Sequence, residues 1–442
     1  VGITECFCTI TICLTSIVLH EAIVKPMPNG RITLKIKTNQ SILIHPVRHQ
    51  MEIIADRLKQ IPPYLFMQMR DKIRQFEKEG IDYISLAIGD PAEPTPPHII
   101  ESLRLAVLDP INHRYPTDEQ KGMYDFRLAV ARWYRRKYGV GVDPDSEVLC
   151  LGGSKEGIHY LVMAVVNAGD SVLVTNPGYP GYRANILLAG AEPYDVPILA
   201  ENNFLPDLDA IPEDVCRQVR VFFLNYPNNP TGACASEAFF SRLVSWARHH
   251  RILLVNDNPY SEFVFTGCQK LSLLQIPGAK DLSIEFNSLS KSFNMTGWRI
   301  GMVVGNPDII GAMSKYKENV SSGVFNVIQL ASIKALEEGD RDIDRMMAIY
   351  ARRRQMALDA FKRMGIPVKA GMGTFYLWVP VPDGQSSAAF AIRLLEKAHV
   401  LVTAGTAYGQ YGEGYFRVSL TVSDDRLAEA LERMDRCLKG PR

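Results

Sequence analysis

From Met51 onward, short apolar runs rich in β-branched residues alternate with longer stretches whose apolar residues recur at helical spacing. The runs at 146–151, 171–175, 219–225, 252–256, 282–287 and 300–304 read as strands, most of them ending at or near Gly, Pro or Asn. Residues 155–167 and 236–250 read as helices between them. The strands are continuously apolar, the mark of a sheet covered on both faces. Strands that alternate with helices imply crossovers and a mostly parallel sheet. Beyond residue 320 the texture changes to a long helical stretch towards Met364. It is followed by the segment 373–380, a helix over 388–398, a strand over 415–421 and a last helix from Asp424. The pattern predicts an α/β protein with a large domain over 98–337. A smaller α+β domain combines 51–97 with 338–442, since the ends of a domain often lie together.

Residues 1–50 do not share this pattern. They carry five basic residues against two acidic ones, while the rest of the chain has 44 against 46. An apolar run spans residues 6–19, fourteen positions, short of the roughly 17–25 needed to cross a bilayer as a helix. The acidic Glu5 does not suit the basic start of a secretory signal, and Thr9-Ile10-Thr11-Ile12 alternates like a strand. The expectation is a poorly ordered extension with the functional protein starting at Met51, so that deleting 1–50 leaves folding and activity intact. The alternative is a membrane anchor.

Composition narrows the classes of function. With 49 Lys and Arg against 48 Asp and Glu, the 442-residue chain has a formal charge of +1, which gives no support to a nucleic-acid binder. Five of the eight cysteines are scattered singly through the body without paired spacing. That argues against a disulfide scaffold or a zinc site and points to a reducing cytoplasm. No metal-binding cluster is expected.

The candidate chemistry sits where the apolar runs end. Ser288-Leu-Ser290-Lys291 closes one strand, with Arg299 eight residues beyond the lysine. Hydroxyls with a guanidinium suit a phosphate, and a lysine beside them can act as an amine nucleophile; an exposed loop lysine reads the same way. Gly152-Gly153-Ser154-Lys155 opens a helix whose amides can hold an anion, or forms a plain turn. Tyr179 offers a face for a planar ring, or packs in the core. Asn229 offers an amide, or marks a turn. Asp257 ends an apolar strand, where a charge is costly without a cation. Together these sites mark one crevice at the carboxyl edge of a sheet.

In this order along the chain, the set resembles the fold-type I pyridoxal-phosphate aminotransferases. The resemblance rests on Leu205-Pro-Asp-Leu-Asp-Ala-Ile-Pro212, Asn225-Tyr-Pro-Asn-Asn-Pro-Thr-Gly232 and Ser288-Leu-Ser-Lys-Ser-Phe-Asn-Met-Thr-Gly-Trp-Arg-Ile-Gly301, with Ile61-Pro-Pro-Tyr-Leu-Phe66 near the start. It covers roughly nine-tenths of the chain, from Met51 on. It implies a seven-stranded sheet, a homodimer and pyridoxal 5'-phosphate as cofactor. It also implies roles. Lys291 binds the cofactor aldehyde and carries the proton. Asp257 faces the ring nitrogen, Tyr260 and Asn229 the ring hydroxyl, and Tyr179 the ring face. Ser154, Lys155, Ser288 and Arg299 surround the phosphate, with Tyr115 reaching that of the neighbouring subunit. Arg417 clamps the substrate carboxylate, and Gly89 lets the chain pass close to it.

The activity implied is transfer of an amino group between an L-amino acid and a 2-oxo acid. The preferred pair is LL-diaminopimelate and 2-oxoglutarate, in lysine and peptidoglycan precursor synthesis, with Glu119 a candidate for the distal ammonium or a solvated loop carboxylate. Alanine, aspartate, aromatic amino acids and methionine are the alternative substrates. A non-catalytic binding protein would lack Lys291, Asp257 or Arg417, and all three are present.

Overall fold

The computed structural model describes residues 23–26, 32–35, 41–44, 53–61, 69–116, 118 and 120–439. The chain divides into two compact units, Val1–Asp56 and Arg57–Arg442. In the first, Ile23–Pro26, Ile32–Lys35 and Ser41–Ile44 pair as an antiparallel sheet. The apolar run at 6–19 lies outside the described residues. Among the described residues, no helix is long and apolar enough to cross a membrane.

The second unit is built on seven strands: β1 (Val148–Leu151), β2 (Ser171–Asn176), β3 (Glu192–Pro197), β4 (Val219–Leu224), β5 (Leu253–Asp257), β6 (Ser283–Ser288) and β7 (Gly301–Gly305). Their spatial order is β1-β7-β6-β5-β4-β2-β3. All pairings are parallel except those of β7, which runs against both β6 and β1. Alternation along each strand feeds separate cores on the two faces. Val148 and Cys150 enter one cluster, Leu149 and Leu151 another. Val221 and Phe223 likewise turn away from Phe222 and Leu224. Both faces being covered is why these strands read as unbroken apolar runs. The edge strand β3 has the sequence Glu-Pro-Tyr-Asp-Val-Pro and is largely solvated, so it carries no such run and is absent from the pattern reading.

The reversal of β7 has a direct consequence for the site. The chain leaves β6 at Ser288 and enters β7 at Gly301, and these two residues are register partners, with Gly301 also opposite Leu151. The whole connection, including Lys291 and Arg299, is therefore held at the carboxyl edge, beside the turn that follows β1.

Beyond the sheet, β8 (Tyr376–Pro380), β9 (Thr403–Ala404) and β10 (Tyr415–Ser419) form an antiparallel sheet in the order β8-β10-β9. Its core draws on Met69–Ala87, on Tyr260, Phe263 and Phe265, and on residues from Met346 to Met434. The short strand Ile84–Ser85 pairs with Val400–Leu401. The next residues are pinned to β10 and its sequel by Ser419 N–H donating to the Leu86 carbonyl (2.7 Å) and the Thr421 hydroxyl donating to that of Ile88 (2.9 Å). That pinning delivers Gly89 to the crevice.

Candidate active site

A cavity of about 300 Å³ opens at the carboxyl edge of the large sheet. Gly89, Ser154, Lys155, Tyr179, Asn229, Asp257, Tyr260, Ser288, Lys291, Arg299 and Arg417 all line it. These residues are separated by up to 328 positions in sequence, and the fold brings them to one place. Two further residues are expected at the site, Tyr115 at that of a neighbouring subunit. Tyr115 is 76% exposed and does not line the cavity, and Glu119 lies outside the described residues.

At one end, the helix Ser154–Val165 starts from Gly153, whose φ of 101° and ψ of 156° are open to glycine alone. The Arg299 guanidinium lies against this turn, where a side chain on Gly153 would strike it, and donates to the carbonyls of Thr296 (2.8 Å) and Gly152 (3.2 Å). Helix amides, the Ser154 and Ser288 hydroxyls and a guanidinium converge here, a donor set suited to a phosphate dianion.

Across the floor, Asp257 is 5% exposed. Its Oδ2 accepts from the Tyr182 hydroxyl at 2.7 Å, while its Oδ1 has no hydrogen-bond partner among the described residues. Burial raises its proton affinity to about pKa 7, against the opposing pull of the Tyr182 hydrogen bond. The backbone carbonyl of Asp257 is held by the Asn225 amide, and Asn225 Oδ1 in turn accepts from Asn229 N–H at 2.6 Å.

Lys291 leaves β6 on a single turn of helix, and its Nζ donates to the Gly89 carbonyl at 2.5 Å. Its pKa is lowered to about 8, first by burial; Arg417 and Arg299 add to the effect and Asp90 opposes it. About a tenth of the amine is then unprotonated at pH 7, far more than for an ordinary lysine, as a nucleophile or base requires.

The far wall comes from the smaller sheet. Arg417, on β10, is 5% exposed and donates to Asn229 Oδ1 (2.8 Å) and to the Ala87 carbonyl. Its guanidinium lies over the rings of Tyr376 (3.9 Å) and Tyr408 (5.0 Å). Tyr376 shares a hydroxyl contact of 3.1 Å with Tyr260, whose own pKa is raised well above the usual phenol by burial and then by Tyr376. A Cβ on Gly89 would collide with the Tyr376 hydroxyl, so the residue at 89 has to be glycine for this wall to close.

The pattern reading missed three tyrosines. Tyr182 stands three residues after Tyr179 on the helix Pro180–Leu188 and the turn before it, and i, i+3 spacing was the available signal. Tyr376 and Tyr408 had no local signal. A metal-type cluster also escaped it: ligand atoms of Glu213, Cys216 and His250 fall within 4.8 Å of one another, the first two on one helical turn and His250 34 positions further on. None of the three lines the cavity. The Cys216 thiol is pushed up by burial and donates weakly to the Ile211 carbonyl (3.9 Å).

With this geometry established, the chain can be compared with known proteins. Residues 81–434 match the family model for aminotransferase class I and II. The chain is 47% identical over 381 residues to LL-diaminopimelate aminotransferase of Aquifex aeolicus, covering 86% of this chain and 98% of that one. It is 48% identical to the LL-diaminopimelate aminotransferase of Moorella thermoacetica, covering 87% and 98%. Among solved structures it is similar to substrate-bound BacF from Bacillus subtilis, with a TM-score of 0.83 and 37% identity over 87% of this chain and 98% of that one.

Proposed function

The chain belongs to the class I and II aminotransferases, and on that premise we propose that it transfers the amino group of LL-diaminopimelate to 2-oxoglutarate with pyridoxal 5'-phosphate, in lysine biosynthesis. The substrate assignment is supported by relatives 47–48% identical over most of their length that bear the name LL-diaminopimelate aminotransferase.

The observation that carries the cofactor is Asp257. A buried carboxylate with one oxygen lacking a partner is costly, and a protonated ring nitrogen is the cation that would satisfy it. The cofactor would then be held by Asp257 at that nitrogen, by Tyr260 and Asn229 at the ring hydroxyl, by Tyr179 across the ring, and by Ser154, Lys155, Ser288 and Arg299 at the phosphate. Lys291 would hold the aldehyde. When bound, the group supplies an electron-poor ring that takes up the charge left when the substrate Cα loses its proton.

The rest is work for the chain's own residues. Arg417 presents a planar donor fork to the α-carboxylate, oriented by Asn229 Oδ1 and the Ala87 carbonyl and lying over the Tyr376 ring. Lys291 Nζ removes the Cα proton and delivers it again, and its lowered affinity suits both directions. The Gly89 carbonyl gives that amine a contact whenever it is free. The Tyr260–Tyr376 pair keeps water from one side of the cavity, both rings being about 5% exposed. Glu119 is the proposed contact for the distal ammonium.

We assign the working form as a homodimer. The helix Pro97–Ala106 and the turn after it expose Leu105, Leu108, Ile111 and Tyr115 beside Phe325, an apolar face of the kind that subunits cover. Tyr115 on that face would reach the partner's phosphate site. Five free cysteines among the described residues support the cytoplasm as its place.

The test is a panel of amino donors with 2-oxoglutarate. Glutamate should form with LL-diaminopimelate at a kcat/KM at least about tenfold above those for aspartate, alanine, methionine or an aromatic donor. No glutamate from LL-diaminopimelate, with turnover of another donor, would remove the substrate while leaving the reaction class in place.

A further inference from the structure

Two half-buried cysteines that play no part in the active site lie side by side. Cys234 follows the Asn228–Gly232 turn, and Cys268 closes the loop that runs on from Tyr260. Both loops are stitched to one segment, Met372–Thr374. On one side, Gly373 N–H donates to the Gly232 carbonyl at 2.8 Å. On the other, Phe265 N–H donates to the Met372 carbonyl (2.8 Å) and Thr374 N–H to that of Phe263 (2.9 Å), with Val264 and Gly373 bridged as in a sheet. Gly373 also leaves room for sulfur: a Cβ there would stand 2.8 Å from Cys234 Sγ. At Cys268 the chain turns back through Gly267, with Cys268 N–H donating to the Phe265 carbonyl at 3.2 Å. The two thiols come within interaction range of each other, while Cys268 Sγ itself donates weakly to the Gln269 carbonyl at 3.8 Å.

We propose that Cys234 and Cys268 form a dithiol modification site, which a disulfide or peroxide oxidant converts reversibly into an intramolecular disulfide. The pairing was invisible to cysteine spacing because 34 positions separate the two, and the contact is made only through the third segment.

The chemistry is ordinary thiol–disulfide exchange. Cys268 loses its proton, and its thiolate attacks one sulfur of oxidised glutathione, expelling a glutathione thiolate. Cys234 then loses its proton and attacks the Cys268 sulfur, expelling the second. Two S–H bonds are lost, one S–S bond forms, and the oxidant's disulfide is reduced to two thiols. The neighbouring Cys234 thiol favours the start of this sequence. It pulls the Cys268 thiol down to about 7 and holds its own proton more tightly. Cys150 has the opposite setting, buried and pushed up to about 12, and serves as the unreactive internal control.

The experiment uses the full chain, reduced and freed of small thiols, then incubated with oxidised glutathione at neutral pH. Intact mass should fall by two hydrogens, with no added glutathione at completion. A non-reducing peptide map should join the peptides holding 234 and 268, and dithiothreitol should reverse both changes. Cys234→Ser should instead stop at a glutathione adduct on Cys268, and Cys268 should alkylate about tenfold more slowly in that variant than in the wild type. A map joining other cysteines would overturn the proposal. So would a wild type that retains a stable glutathione adduct at Cys268, or one whose mass does not change.

Discussion

Two buried carboxylates on neighbouring strands are treated in opposite ways. Glu285, in β6, is fully buried and receives four hydrogen bonds, from Tyr134 (3.1 Å), Asn256 (2.9 Å), Ser272 (2.9 Å) and the Leu273 N–H (3.0 Å). Asp257, at the end of β5, receives one side-chain hydrogen bond and keeps an oxygen without a partner. Register explains why they do not share partners. Glu285 lies opposite Asn256, and Phe286 opposite Asp257, so the two acids project from opposite faces of the sheet. Burial raises the pKa of both. The saturated acid is part of the scaffold; the half-satisfied one is what a ligand completes.

Several substitutions would break or sharpen this contrast. The largest effect should come from the amine that moves the proton: Lys291→Ala should lower transaminase kcat by on the order of 10⁴-fold, measured in single turnovers. Asp257→Asn should follow, with a loss of about 10²–10³-fold in kcat, yet the cofactor-free protein should unfold no more readily in urea. Glu285→Gln should do the reverse, costing about 1–3 kcal/mol of stability through mismatched donors while kcat stays within a few-fold. If the two variants behaved alike, the distinction between scaffold and site would fail.

Arg417→Ala should raise the KM for the amino donor by about 10²-fold with a smaller change in kcat. The smallest change is expected from Tyr182→Phe, a loss of about tenfold or less in kcat, since one hydrogen bond to Asp257 disappears while its position stays.

The pH dependence has a definite sign. Asp257 has a folded pKa of about 7 against an ordinary 3.8, so between those values the folded protein binds the extra proton. Its contribution to the stability of the cofactor-free chain is intact below about pH 4 and lost as pH rises to about 7, at about 1.4 kcal/mol per unit. Urea titrations of wild type and Asp257→Asn should therefore diverge in favour of the variant as pH rises through that window.

How much of this was legible in the sequence follows from locality. Lys291, Asp257 and Asn229 stand directly after apolar runs, so a strand-end reading finds them. Arg417 and Gly89 were found through resemblance, as no spacing links them to the rest. Tyr376 and Tyr408 reach the cavity from the smaller sheet and the loop beside it, and nothing near them in sequence marks that destination. β3 was missed because an edge strand with two prolines and two acids lacks the apolar run by which its neighbours declare themselves. The Cys234–Cys268 contact likewise depends on a third segment.

The most direct test of the central claim is borohydride reduction of the protein purified with pyridoxal phosphate, followed by peptide mapping. The account predicts a single stable pyridoxyl adduct on Lys291. An adduct on another lysine, or none, would contradict it.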